Sequence, residues 1–130
     1  MTNTAYYRGI RTDSGDCTVR LVVSGSWCIN SSSLNPHHEI VNHSPDGFEW
    51  GYSGSGPAQL AFALCYDALD GDQERAVKVY QRFKDRVVST LSRHGFQLNK
   101  TFVRLIIEQI ENNVGVFADP SGVRFEQESS

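Results

Sequence analysis

Residues 48–69 read FEWGYSGSGPAQLAFALCYDAL. Pro57 opens a helix here, because its missing N–H costs nothing at the first helical position. From Ala58 onward the apolar residues run almost all the way round: Leu60, Ala61, Phe62, Ala63, Leu64, Cys65, Ala68 and Leu69. A helix apolar on every side belongs at the centre of a fold and not on its surface. Just upstream, Phe48, Trp50 and Tyr52 alternate with other residues, a strand pattern with one aromatic face. Between strand and helix lies the glycine-rich loop Ser53-Gly54-Ser55-Gly56.

Towards the N-terminus, Ala5–Arg11 and Cys17–Val23 are short runs rich in Tyr, Ile, Val and Thr, joined by the turn-forming Asp13-Ser14-Gly15-Asp16. Trp27-Cys28-Ile29 is a third short run. Residues 30–42 read as loop with one strand near Glu39–Asn42, and His43-Ser44-Pro45-Asp46-Gly47 is turn chemistry. Towards the C-terminus, Asp70-Gly71-Asp72 breaks the central helix. A second helix is expected over 73–93, with its stripe at Ala76, Val79, Tyr80, Phe83, Val87 and Leu91 and Gly95 as its C-cap. Phe96-Gln97-Leu98 is a short extended link. A third helix over 101–112 carries Phe102, Leu105, Ile106 and Ile110 on one side, and residues 114–125 offer an edge strand before a frayed end. Strands first and helices after make an α+β fold. The expected architecture is a small N-terminal antiparallel β-sheet packed on about three α-helices, one of them a buried central helix. Residues 1–130 form a single domain, β-rich over 5–52 and helical over 57–112, with a tail over 113–130.

Composition narrows the function classes. Twelve Lys+Arg against fifteen Asp+Glu give a net charge of -3, which disfavours generic nucleic-acid binding by overall charge and leaves room for a local basic patch. The cysteines Cys17, Cys28 and Cys65 are odd in number and lack CxxC spacing, which fits a reducing cytoplasm. The start shows no signal-peptide pattern, and the apolar stretch Pro57–Leu69 is too short for a bilayer span. A cytoplasmic protein without a membrane partner is expected.

Residues 42–64, NHSPDGFEWGYSGSGPAQLAFAL, carry a resemblance. They are similar to an uncharacterised family of small proteins of phages, bacteria and archaea, marked by an aromatic FEWGY segment running into GSGPAQLA. Tyr80-Gln81-Arg82-Phe83-Lys84 matches the family's helix pattern, and Ser92-Arg93-His94-Gly95-Phe96 its turn into the last helix. The resemblance spans Tyr7 to Ile110. It departs at Ser53, where glycine is frequent, and over Ser24–His38, which is longer and more polar. It implies a protein of phages and mobile elements, a context in which small proteins counter host defence by binding.

The candidate sites follow from chemistry. Ser53, Gly54, Ser55 and Gly56 before a helix form a place for phosphate: glycines allow close approach, and the first N–H groups are free. The same loop reads more simply as a tight strand-to-helix turn with Ser capping the buried helix, since a lone glycine-rich loop is a weak signal. It is neither a Walker A motif nor a dinucleotide fingerprint. On the second helix Arg75, Arg82, Arg86 and Arg93 fall near one line, with Lys78 to the side, and serve either as a phosphate-binding row or as a solvated face. Trp50 and Tyr52 could stack on a base or form core. His37, His38 and His43 lie close in sequence but lack metal-ligand spacing, and no catalytic arrangement emerges, so no metal, cofactor or enzymatic role is expected.

The functional expectation is a non-enzymatic binding protein with a small phosphate-bearing, nucleotide-type ligand, held by Ser53, Gly54, Ser55, Gly56, Trp50, Tyr52, Arg82 and Arg86. The alternative is a protein–protein inhibitor of a host defence complex, anti-CRISPR-like or anti-restriction-like. A homo-oligomer is expected in either case, because one small domain offers little concave surface.

Overall fold

The structure is a computed structural model that describes residues 4–25, 29–45 and 47–112. Strands β1 (Thr4–Arg11), β2 (Cys17–Ser24) and β3 (Ile29–Ser33) come first. Helices α1 (Ser55–Ala68) and α2 (Gln73–Arg86), a 3-10 turn (Val88–Thr90), strand β4 (Gly95–Asn99) and helix α3 (Lys100–Glu111) follow. The strands form one antiparallel sheet in the order β3-β2-β1-β4. This is the expected α+β arrangement, with α1 buried at the centre.

Alternation along the strands sets which face meets the helices. Tyr7, Val19 and Leu98 are buried on the inner face, and Tyr7 sits across from Leu21 on β2 and from Leu98 on β4. The Tyr7 hydroxyl donates to Asp67 at 2.6 Å near the end of α1, and burial beside that carboxylate pushes its pKa well up. Gly9 leaves room for the Phe96 ring, since a Cβ there would lie 2.1 Å from it.

β4 is the first correction. Gly95 does not cap a helix. It begins a strand opposite Ile10 and packs so tightly on β1 that a Cβ would meet the Gly9 carbonyl oxygen at 2.8 Å. The second helix stops at Arg86, short of Arg93. Ser89 Oγ donates to the Asp85 carbonyl and Thr90 Oγ1 to the Val87 carbonyl, local bonds that compete with the helical ladder. Val87 and Val88 stay in the core beyond the helix end, so the apolar pattern outlasts the helix.

The aromatic segment Phe48–Tyr52 is not a strand. Gly51 has a φ of 87°, a left-handed conformation that interrupts extension and suits glycine. The segment is held by side chains instead. Arg11 forks onto Glu49, with Nη1 donating to Oε2 at 2.9 Å and Nη2 to Oε1 at 2.7 Å, while Nε donates to the Arg93 carbonyl at 2.6 Å. The Trp50 indole N–H donates to the Ser92 carbonyl at 3.0 Å, and the ring meets Phe96 edge-on.

Glu39–Asn42 is not a strand either but a turn region docked on α1 through Gln59, which is fully buried. Its Oε1 accepts from the N–H groups of His43 (2.7 Å) and Ser44 (3.2 Å). Its Nε2 donates to the carbonyls of Pro36 and Val41, both at 2.8 Å. Those four bonds use both amide donors and both lone pairs. Trp27, Cys28, Asp46 and the expected edge strand over 114–125 lie outside the described residues.

On α3 the buried side is Val103, Ile107 and Ile110, whereas Phe102 and Leu105 are 41% and 50% exposed. The expected stripe is therefore rotated. α3 follows β4 without a loop: Asn99 Oδ1 accepts from the Thr101 N–H at 2.7 Å. Arg104 Nε donates to the Ala68 carbonyl at the end of α1, and Lys100 and Arg104 pair with Asp70. These ties fix how the helix is rolled.

Two outcomes test these contacts. Gln59→Leu strands four backbone groups and should cost more than about 3 kcal/mol, measured by urea unfolding. A loss under about 1 kcal/mol would show that the 36–44 loop repacks without the amide. The Arg11 guanidinium, donating to Glu49, holds that carboxyl below its usual pKa. A lowered folded pKa gives stability that is present above the unfolded value of about 4.3 and lost as pH falls through the folded one. Glu49→Gln should therefore flatten the acid limb of a stability–pH curve, and an unchanged limb would remove this pair from the account.

Candidate functional site

The N-terminus of α1 emerges beside the Arg11-bound segment. Gly54 is its N-cap, and no side chain caps it. The expected serine cap is absent. The first backbone bond runs from the Ala58 N–H to the Gly54 carbonyl at 2.9 Å. Pro57 carries no N–H, so the N–H groups of Ser55 and Gly56 have no intrahelical partner. The two glycines answer to packing: a Cβ on Gly56 would lie 2.7 Å from Glu49 Cβ, and one on Gly54 2.8 Å from the Tyr52 ring. Ser53 and Ser55 are exposed.

Tyr52 joins this loop to a cation. Its ring is 41% exposed and carries the Arg93 guanidinium 5.5 Å from its centroid. Such a contact contributes about 0.5–1 kcal/mol at an exposed site. Arg93 thus stands on Tyr52, whose ring also lies against Gly54 at the uncapped helix end, with Ser53 and Ser55 exposed on either side of Gly54 in the chain. Arg93 reaches it from the link before β4, not from a helical row. The approach joins residues 41 apart in sequence and has no local signal. The alternation around Gly51 reads as a strand and gives no sign of the bend that brings Tyr52 to Arg93.

Other candidates are placed elsewhere. Trp50 is wholly buried, with Phe96 at its edge and Arg11 over its ring at 5.2 Å, so no face is open to a base. Two arginines of the row pair with α3. Arg75 forks onto Glu111 with both bonds at 2.8 Å, and Arg86 donates to Gln109 at 3.1 Å. The Arg75 contact holds the Glu111 carboxyl below its usual range. Lys78 faces Glu74 at 3.5 Å. Arg82 is exposed on α2.

The histidines serve the loop. His43 Nε2 pairs with the Tyr80 hydroxyl at 2.7 Å, His38 Nε2 with the Ser44 carbonyl at 2.9 Å, and the His37 ring packs on Tyr66. Among the described residues no group of His, Cys, Asp and Glu is arranged to hold a metal ion. Cys65 is buried in α1, and burial pushes its thiol pKa up. Cys17 borders a cavity of about 250 Å³ that also touches Glu49 and Phe48, and burial raises its pKa as well. Neither thiol is prepared as a nucleophile, because the thiolate is the reactive form.

No helix among the described residues is long and apolar enough to cross a membrane. No curated protein and no solved structure matches the chain. An uncharacterised family is expected, and residues 7–109 fit the Family of unknown function (DUF6166); the chain belongs to it.

Proposed function

We propose that this is a non-enzymatic binding protein that takes a phosphate-bearing, nucleotide-type ligand at the N-terminus of α1. The observation that carries the reading is the uncapped helix end beside the exposed Tyr52–Arg93 pair. Unpaired N–H groups and the positive end of the helix dipole favour an anion. The Arg93 fork supplies a matching cation, Tyr52 a surface for a base, and Ser53 and Ser55 hydroxyl donors. Trp50 and Arg86 drop out of the ligand set because the core and Gln109 hold them. The setting in a phage or mobile element, and a role against host defence, come from the resemblance of residues 42–64.

A second reading is favoured by a separate observation. Phe102 and Leu105 lie three residues apart on α3 and are half exposed, an apolar pair suited to docking on a host defence protein or a second copy of the chain.

Three variants divide these readings. With no cap to lose, Ser55→Ala should change stability by less than about 0.5 kcal/mol, yet weaken any ligand that raises the melting temperature in a panel of mono-, di- and cyclic nucleotides. Arg93→Ala should weaken the same ligand at least about tenfold, since a charge-assisted bond contributes about 1.5–3 kcal/mol. A panel without any thermal shift would end the nucleotide reading. For the second reading, Phe102→Ala with Leu105→Ala should leave the fold intact by circular dichroism and abolish partner capture or self-association in sedimentation. Full association in that double variant would exclude this face.

A further inference from the structure

The helices cover one face of the sheet, and register determines what stands on the other. Arg8 on β1 lies directly opposite Arg20 on β2 and, on its other side, opposite Gln97 on β4. Arg20 in turn lies opposite Ser33 on β3. Their sequence neighbours Tyr7, Val19 and Leu98 are buried under the helices. Alternation therefore turns Arg8, Arg20 and Gln97 outward, and all three are exposed, as is Ser33.

The charge on this face has one sign. None of the four strands contains an Asp or Glu, in a chain that carries fifteen against twelve Lys+Arg. Like charges directly opposite in a ladder are destabilising, and the two backbones stand only about 5 Å apart. Arg20 rests on two hydroxyls, with Nε donating to Ser31 Oγ at 2.5 Å and Nη1 to Ser33 Oγ at 3.4 Å. No acidic side chain pairs with Arg8 or Arg20 among the described residues. The fold holds two exposed guanidiniums side by side on this face, next to the buried Val22, and among the described residues supplies them no counter-charge.

We infer that this open sheet face, centred on Arg8 and Arg20, binds single-stranded nucleic acid. Two adjacent guanidiniums match successive phosphates of one strand. Tyr6, outward on β1 beside Arg8, offers a ring for a base, and guanidinium planes stack on bases as well. Ser31, Ser33 and Gln97 supply neutral donors and acceptors for base edges. The major groove of a duplex admits a helix or a two-stranded ribbon, whereas a four-stranded face with a ring and neutral polar groups suits unpaired bases. The net negative charge of the chain does not oppose this binding, because screening confines the attraction to about 8 Å around the arginines at physiological ionic strength. The surface shares no residue with the α1 patch, so either stands without the other.

The test uses fluorescein-labelled single-stranded RNA and DNA of about 12 nucleotides, within the span one such face covers, followed by anisotropy. Binding should weaken with salt, with a log–log slope near -1.4 for two phosphate contacts on a single strand. Arg8→Glu should reduce affinity at least about tenfold. The same change replaces a like-charge pair with an ion pair opposite Arg20, so the melting temperature should hold or rise. That opposition of effects separates a binding residue from a structural one. Lys78→Glu makes the same charge change on α2 and should leave binding unaltered. Four results would overturn the inference: no anisotropy change up to about 100 µM protein, the weak end of non-specific binding; equal binding by Arg8→Glu; equal loss in Lys78→Glu; or displacement by polyglutamate as effective as by unlabelled oligonucleotide.

Discussion

A helix with no polar side has to be covered on every side, and the rest of this protein is arranged around that demand. α1 is buried along nearly its whole length. The inner face of the sheet covers it through Tyr7, α2 through Ala76, Val79 and Phe83, and α3 through Val103 and Ile107. The remaining cover is the irregular loop over residues 36–44, which lacks secondary structure to satisfy its backbone. Gln59 meets that need from within the helix, with four bonds from one amide. A buried polar group is tolerated only when all its bonding capacity is used, and here full use also fixes where the loop sits.

The same demand explains the candidate patch. Pro57, Ala58 and Gln59 are buried from the first turn, so the chain reaches the core immediately after leaving the Phe48–Tyr52 segment. Glu49 packs against Gly56, and Trp50 fills the space under Phe96. Tyr52, Ser53 and Ser55 remain exposed at the helix end, where Arg93 meets the Tyr52 ring. Glycine at 56 is required by this crowding whether or not a ligand binds, while Gly54 leaves room for the exposed Tyr52 ring. The geometry of an anion site and the geometry of a tight entry into a buried helix coincide, and a stability-neutral change such as Ser55→Ala distinguishes them.

Charge is distributed by layer. The helical side pairs its ions across elements, Arg75 with Glu111 and Lys100 and Arg104 with Asp70. Pairs at this level of exposure contribute little stability each, but they hold α3 in one orientation against α1 and α2. The strands carry arginine without acid, so the outer sheet face differs in sign from a molecule that is acidic as a whole.

Periodicity and turn chemistry in the sequence determined the two long strands, the turn between them, the buried helix and the break at Asp70-Gly71-Asp72. Each depends on residues within a few positions of one another. The tertiary structure decided the features that join distant segments. Residues 102–110 hold two overlapping apolar stripes, and only the Asn99 cap and the Arg104 and Lys100 ties choose Val103 and Ile107 over Phe102 and Leu105. The aromatic alternation at 48–52 satisfies a strand template, but Arg11, from the far end of β1, makes it a side-chain-anchored bend. Val87 and Val88 continue the helical pattern because they too are core, although Ser89 and Thr90 have ended the helix. The loop serines and glycines at the helix end were legible as a candidate site, because a helix start is local. Arg93 was legible only as part of a helical row; its place on Tyr52 was not, nor was the facing of Arg8 and Arg20, because a cation's partner is set by where the backbone returns, and no local pattern records that distance.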